Sequence, residues 1–243
     1  MNTQPIPATP TLIALRPSDE RGFTDFGWLE SRHSFSFGEY YDPAHPGFRS
    51  LRVINDDKVA GGGGFPSHPH RDMEIFSYVV SGQLEHKDSL GNGRTLTPGQ
   101  IQVMSAGSGV VHSEYNPNPD TPVHFLQVWI KPDRTGVAPR YTEWHPGPER
   151  EGEPKVLVIS GDGAEGSATI HQDARVYRIR LKEGESVEHE LEAGRGAWLQ
   201  VIRGAVQFNG NPVAEGDGAS TEEAGRLWVT AHVDAEALLF DLA

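Results

Sequence analysis

The stretch Gly62-Gly63-Gly64-Phe65-Pro66-Ser67-His68-Pro69-His70-Arg71-Asp72-Met73-Glu74 places two histidines at i and i+2. A second stretch, Gly107-Ser108-Gly109-Val110-Val111-His112-Ser113-Glu114-Tyr115-Asn116, places a histidine and a glutamate at the same spacing. On a β-strand, side chains at i and i+2 leave the same face. Two such strands side by side would aim His68, His70, His112 and Glu114 at one point. Three imidazoles and a carboxylate suit a divalent first-row metal with positions left for water or substrate. Pro69 has no N–H for a ladder, so the first strand must lie at an edge or bulge, which puts the site at a rim.

The rest of the chain reads as β-structure. Strand-like runs are His33–Phe37, Leu51–Asn55, Ile75–Val80, Leu84–Asp88, Ile101–Met104 and Phe125–Ile130, with a hairpin turn at Leu90-Gly91-Asn92-Gly93. Four prolines in Lys131–Pro148 mark a connector. Lys155–Ser160, Ala174–Leu181, Ala197–Ile202, Ala205–Phe208 and Ala237–Leu242 repeat the pattern, with a turn at Asn209-Gly210. Trp198–Val206 echoes Phe76–Leu84, and Ala214–Gly218 echoes Thr97–Ile101, as a tandem duplication would. The expected fold is all-β: two sandwich units, residues 1–135 and 136–243, and one short helix near Ser18–Phe23. Where the first unit has its histidines, the second offers His189-Glu190-Leu191-Glu192 and Trp228-Val229-Thr230, so it should be a metal-free packing unit.

Composition narrows the function. The 243 residues carry a net charge of −13, which argues against a nucleic-acid-binding face. Without cysteine there is no disulfide, thiolate nucleophile or Cys-ligated metal. Met1–Pro10 is polar and proline-rich, unlike a signal peptide, and no run approaches the roughly 18 apolar residues of a membrane span. A cytoplasmic protein is expected, and a monomer, because a duplicated unit satisfies its own interface within one chain.

Gly62–Gly82 fits the first cupin motif, with Gly, five residues, His-x-His, Glu and a later Gly. Gly99–Asn116 resembles the second, through Gly107, His112 and Asn116. The segments His68–Glu74, Ala106–Glu114 and Ser31-Arg32-His33-Ser34-Phe35-Ser36-Phe37-Gly38 resemble the pirin family, over residues ~12–150, and within it the bacterial pirin-like quercetin 2,3-dioxygenases. The resemblance implies a bicupin with one metal in the N-terminal cupin, held by His68, His70, His112 and Glu114. Fe(II) is the expected metal, and Ni, Co, Mn, Cu or Zn suit the same donors. The implied reaction opens the central ring of a flavonol such as quercetin with O2 and releases carbon monoxide, with Glu114 as proton acceptor. A pirin-like regulator that binds a protein partner, with a structural or redox-sensing metal, is the alternative, and a cupin enzyme with another oxygenated substrate is a third. An open site beside a pocket for three rings separates the enzyme from the regulator. Ser105 stands where the second motif usually has Pro, in a turn.

Several residues read more plainly. Glu74 shares parity with His70, but the resemblance favours Glu114, which leaves Glu74 a supporting or ion-pair role. His33, His86 and His124 read as ordinary hydrogen-bonded or exposed histidines, His33 also as a pocket-lining candidate. Gly61–Gly64 lacks the Lys-Ser/Thr of a phosphate loop, and Gly107-Ser108-Gly109 is not Gly-x-Ser-x-Gly. Phe35, Phe37, Phe76, Tyr78, Phe125 and Trp129 read as core, one or two of them walling a pocket for a flat aromatic ligand.

Overall fold

The computed structural model describes residues 12–147 and 150–243, so the Met1–Pro10 segment and Pro148 of the connector lie outside the described residues. The N-terminal half runs β1 (Ala14–Arg16), β2 (Gly22–Asp25), β3 (Leu29–His33), β4 (Leu51–Val59), β5 (Gly64–His70), β6 (Glu74–Ser81), β7 (Leu84–Asp88), β8 (Gly93–Leu96), β9 (Ile101–Ser105), β10 (Val110–Tyr115), β11 (Val123–Ile130) and β12 (Arg140–Trp144). The second half runs β13 (Lys155–Ser160), β14 (Ala168–Thr169), β15 (Ala174–Leu181), β16 (Ser186–Leu191), β17 (Gly196–Arg203), β18 (Ala205–Phe208), β19 (Asn211–Ala214), β20 (Gly218–Thr221), β21 (Gly225–Ala231) and β22 (Ala235–Leu242).

Each half builds one seven-stranded and one four-stranded sheet. The four-stranded sheets run β5-β10-β7-β8 and β16-β21-β18-β19, and the large ones β12-β9-β6-β11-β4-β3-β2 and β1-β20-β17-β22-β15-β13-β14. The orders match except at the outer edge, where β14 pairs parallel with β13 while β2 pairs antiparallel with β3, and the match is the duplication seen in the echoing sequences. At the edges, β1 crosses to pair with β20 of the second half, and β12 pairs with β9 to complete the large sheet of the first.

The large sheets are buried on both faces, so their central strands are near-continuous apolar runs. On β11, Val123 and Phe125 face their own barrel, while Leu126, Val128 and Ile130 join Phe76 and Tyr78 of β6 in the seam between units. Leu238, Phe240 and Leu242 of β22 meet them from the other side, with Phe76 and Phe240 stacked at 6.2 Å. Two expectations differ. The run His33–Phe37 leaves the sheet after His33, because Ser36 N–H donates to the His45 carbonyl and Phe37 pairs with Tyr40. The helix near Ser18–Phe23 is a single 3-10 turn, Ser18–Glu20, after which the chain enters β2.

The seam predicts cooperative unfolding. Phe240→Ala should cost about 3–5 kcal/mol. It should lower the midpoint of one denaturation transition, seen alike by circular dichroism and tryptophan fluorescence, without splitting it in two.

Candidate metal centre

β5 is an edge strand, which is where a strand containing Pro69 can sit. It pairs antiparallel with β10, bringing His112 opposite His68. A bulge on β5 follows, three of its residues spanning two of β10, so that Glu114 lies opposite Phe65 and the β5 side chains are re-aimed. His112 Nε2 lies 3.0 Å from His70 Nε2 and 3.0 Å from His68 Nε2. One imidazole nitrogen, with a single proton or a single lone pair, cannot hydrogen-bond to both. A shared cation resolves the crowding. Two nitrogens each about 2.0–2.1 Å from a first-row metal, at right angles, lie about 3 Å apart. The donor set and spacing therefore fit a divalent metal.

The outer nitrogens keep these lone pairs pointed inward. His68 Nδ1–H donates to the Pro66 carbonyl at 2.8 Å, leaving Nε2 as the free donor atom. On β7, His86 and Asp88 share a face and form a chain behind His112. Asp88 Oδ2 accepts from His86 Nε2–H at 3.1 Å, and His86 Nδ1 lies 3.3 Å from His112 Nδ1. With His86 accepting there, His112 carries its proton on Nδ1 and offers Nε2 to the metal. Burial opposes the Asp88 charge, but hydrogen bonds from Asn92 and His86 outweigh it and hold the carboxyl below its usual range. Burial, then the neighbouring imidazoles, pushes His70 down to about 4 and His112 down to about 3. Both rings are thus neutral at neutral pH.

Glu114 is fully buried. Its Oε1 accepts from Ser77 Oγ at 2.9 Å and Gln102 Nε2 at 2.6 Å, and its Oε2 from Gln127 Nε2 at 2.9 Å. The donors belong to one row across the large sheet: His33, Asn55, Gln127, Ser77 and Gln102 are successive register partners on β3, β4, β11, β6 and β9. Glu114 groups with His86 and His112, their donor atoms within 4.8 Å of one another, while His68, His70 and His112 form a second group that shares His112. The expected residues are therefore gathered around His112, and Ser77, Gln102, Gln127 and His86 are additions. Their signal in the sequence is a polar residue at an inward position of an apolar strand, legible only once register is known.

Glu74 points elsewhere. Its parity with His70 is broken by Asp72, at φ 49°, between β5 and β6. Its carboxyl accepts from Ser105 Oγ at 2.6 Å, and burial raises its pKa. Ser105 itself ends strand β9 rather than lying in a turn. His124 pairs with Asp56 at 2.6 Å. Gly107 makes the turn into β10 at φ 44°, where a Cβ would lie 2.1 Å from the Val137 carbonyl oxygen. Asn116 donates to the carbonyls of Val59, Ala60 and Thr121, a clamp rather than a ligand. In the second unit the residues matching the β10 pair are Leu227 and Val229, both in its apolar core. His189 there bonds Asp241 at 2.9 Å. Among the described residues, no metal-capable group falls in that unit.

His68 and His70 open onto a cavity of about 800 Å³, within the range of small-molecule sites. Phe23, Phe26, Phe37, Tyr40, Phe65 and Trp129 make it largely aromatic. Trp129 also packs edge-on against His70 at 4.9 Å, and Phe37 against Trp129 at 5.4 Å. His33 lines the cavity too, its Nδ1–H donating to Asn55 Oδ1 at 2.7 Å. Phe35 instead joins the seam against Trp198.

Comparison with known proteins agrees with this architecture. The family model described as Pirin matches residues 15–130, and that described as Quercetinase C-terminal cupin domain matches residues 157–242. The chain is 45% identical to a quercetin 2,3-dioxygenase of Escherichia coli K12 over 231 residues, 95% of this chain and 99% of the relative. The crystal structure of YhhW from Escherichia coli superposes with a TM-score of 0.92 at 44% identity, covering 96% of this chain and 98% of that one. The structure of bacterial pirin YhhW in complex with nickel(II) gives 0.88 at 44% identity, covering 95% and 99%.

Two predictions follow from the histidine cluster. The depressed folded-state values of His70 and His112 mean that, below the ordinary histidine range, the unfolded chain binds protons that the folded chain refuses. Metal-free protein should hold its full stability above about pH 6.5 and lose on the order of a few kcal/mol as pH falls towards 4. Denaturation midpoints across that window will show it. Asp88→Asn should weaken metal binding about 10–100-fold, measured by chelator competition, with little change in the far-ultraviolet spectrum.

Proposed function

The chain belongs to the pirin family and is a quercetin 2,3-dioxygenase-like enzyme with a divalent metal, and from that premise we propose that it opens the central ring of a flavonol with O2. The substrate class is quercetin and its relatives, and the products are a depside and carbon monoxide. His68, His70, His112 and Glu114 hold the metal, most simply Fe(II), although nickel(II) is the ion of the related bacterial pirin. The observation that carries the reading is the convergence of three imidazole Nε2 atoms, with His68 and His70 in the wall of an aromatic cavity of about 800 Å³.

A bound divalent metal supplies Lewis acidity, lowering the pKa of the 3-hydroxyl of the flavonol. The protein supplies the rest. Phe37, Tyr40, Phe65 and Trp129 offer flat apolar surface that orients fused rings and excludes water. Glu114 accepts the hydroxyl proton, and Ser77, Gln102 and Gln127 fix its carboxylate so that it need not reorganise. His86 and Asp88 keep His112 in the ligating tautomer. A metal kept only for structure would be enclosed on all sides. The cavity beside His68 and His70 favours the enzyme over the regulator. With the two units covering each other's apolar faces, the chain is taken as a monomer without a nucleic-acid partner.

The test is aerobic turnover of quercetin by protein stripped of metal and reloaded with Fe(II), with carbon monoxide quantified. His112→Ala should lose at least about 100-fold in release, together with stoichiometric metal. Glu114→Gln should lose about 10²–10⁴-fold in kcat. Tight metal loading with no turnover for any of several divalent metals would return the chain to the regulator class.

A further inference from the structure

Asp57 is a buried carboxyl in the cavity wall that the mechanism above does not use. It lies on β4 in register with Ser31 of β3 and Phe125 of β11, one rung along from the His33–Asn55–Gln127 row. Two residues of strand span about 7 Å, which sets its offset from the row that holds Glu114. Asp57 is 2% exposed and lines the same cavity as His68 and His70. Its neighbour Asp56, of opposite strand parity, takes both Arg21 and His124. Ser31 faces Asp57 across the β3–β4 pair, while Asp57 Oδ1 has no hydrogen-bond partner among the described residues. A buried oxygen left unpaired is costly, and in the wall of a ligand cavity it points to a group on the ligand.

We propose that Asp57 is a specificity-determining residue, hydrogen-bonded to a phenolic hydroxyl on the part of the substrate remote from the hydroxyl held at the histidines. This rests on the flavonol reading and deepens it, because it selects polyhydroxylated rings over bare ones. The distance of about one rung from the Glu114 row suits two hydroxyls carried on one fused aromatic system. Burial pushes the carboxyl up to about 7, with the Asp56 and Glu114 charges adding and Ser31 and Arg21 opposing. The acid donates to a phenolic oxygen and the carboxylate accepts a phenolic proton, and a neutral polyphenol satisfies either. A carboxylate-bearing ligand would satisfy only the acid form.

The experiment measures anaerobic binding to nickel(II)-loaded protein by fluorescence quenching. The probes are quercetin and 3-hydroxyflavone, which keeps the 3-hydroxyl and lacks the others. Wild type should bind quercetin about 10-fold more tightly than 3-hydroxyflavone, the worth of one good hydrogen bond. Asp57→Ala should lose about 10-fold for quercetin and under about 2-fold for 3-hydroxyflavone. Asp57→Asn, which keeps shape and hydrogen-bonding capacity, should restore most of the discrimination and guards against a folding defect. A structural role would move both ligands equally. Equal losses, no discrimination by wild type, or no binding of either compound overturns the assignment. Discrimination without turnover would sink only the dioxygenase reading, and turnover with binding indifferent to position 57 would sink only this one.

Discussion

A fully buried carboxylate must be met by donors or it does not stay buried. Glu114 is that carboxylate, and its donors come from three strands of the facing sheet: Ser77 on β6, Gln102 on β9 and Gln127 on β11. The hydrogen bonds therefore tie the four-stranded sheet to the large one across the barrel. They also fix how far β10 sits from that sheet, and hence where His112 points. A one-residue slip of any of the three strands would turn its donor outward and leave the carboxylate short. Fold closure and site geometry are thus a single constraint.

That constraint is tolerable because the stabilising apolar burial lies elsewhere. The seam between the units, with Phe76, Leu126 and Val128 against Leu238, Phe240 and Leu242, is mainly apolar, crossed by the bonds of the Tyr78 hydroxyl to Glu236 and Arg180. It lies on the outer face of the same strands whose inner faces carry Ser77 and Gln127. Alternation lets β6 and β11 serve both purposes, polar towards the site and apolar towards the partner unit. The crossing of β1 to pair with β20 binds the halves further.

Much of this was legible in the sequence where it depended on period alone. The all-β character, the duplication and the same-face spacing of His68 with His70 and of His112 with Glu114 need only the two-residue repeat of a strand. What needed pairing was not legible. Glu74 has the parity of His70, but a left-handed residue at Asp72 resets the count between strands. His86 and Asp88 look like any alternating polar pair until β7 is laid beside β10. Gln102 and Gln127 are single polar residues in apolar runs, and their meaning is the register that makes them neighbours. The alternation His33–Phe37 predicted a strand, but backbone bonds to His45 and Tyr40 draw the chain away to wall the cavity.

The second unit shows what happens when the constraint is lifted on the same topology. On β21, Leu227 and Val229 occupy the positions that His112 and Glu114 hold on β10, and they pack with Leu191 of β16 and Phe208 of β18. With no carboxylate on β21, no row of donors is needed opposite it, and the inward face of β22 across the barrel carries Ala235, Ala237 and Leu239 before it reaches Asp241. The one histidine on the strand equivalent to β5, His189, turns to Asp241, which Arg195 also holds. Its imidazole is consumed by an ion-paired network, where His68 and His70 keep theirs free. The difference between a metal cupin and a packing cupin is therefore carried as much by the facing large-sheet strands as by the histidines. A transplant of His68, His70, His112 and Glu114 alone would leave a buried carboxylate without its donors.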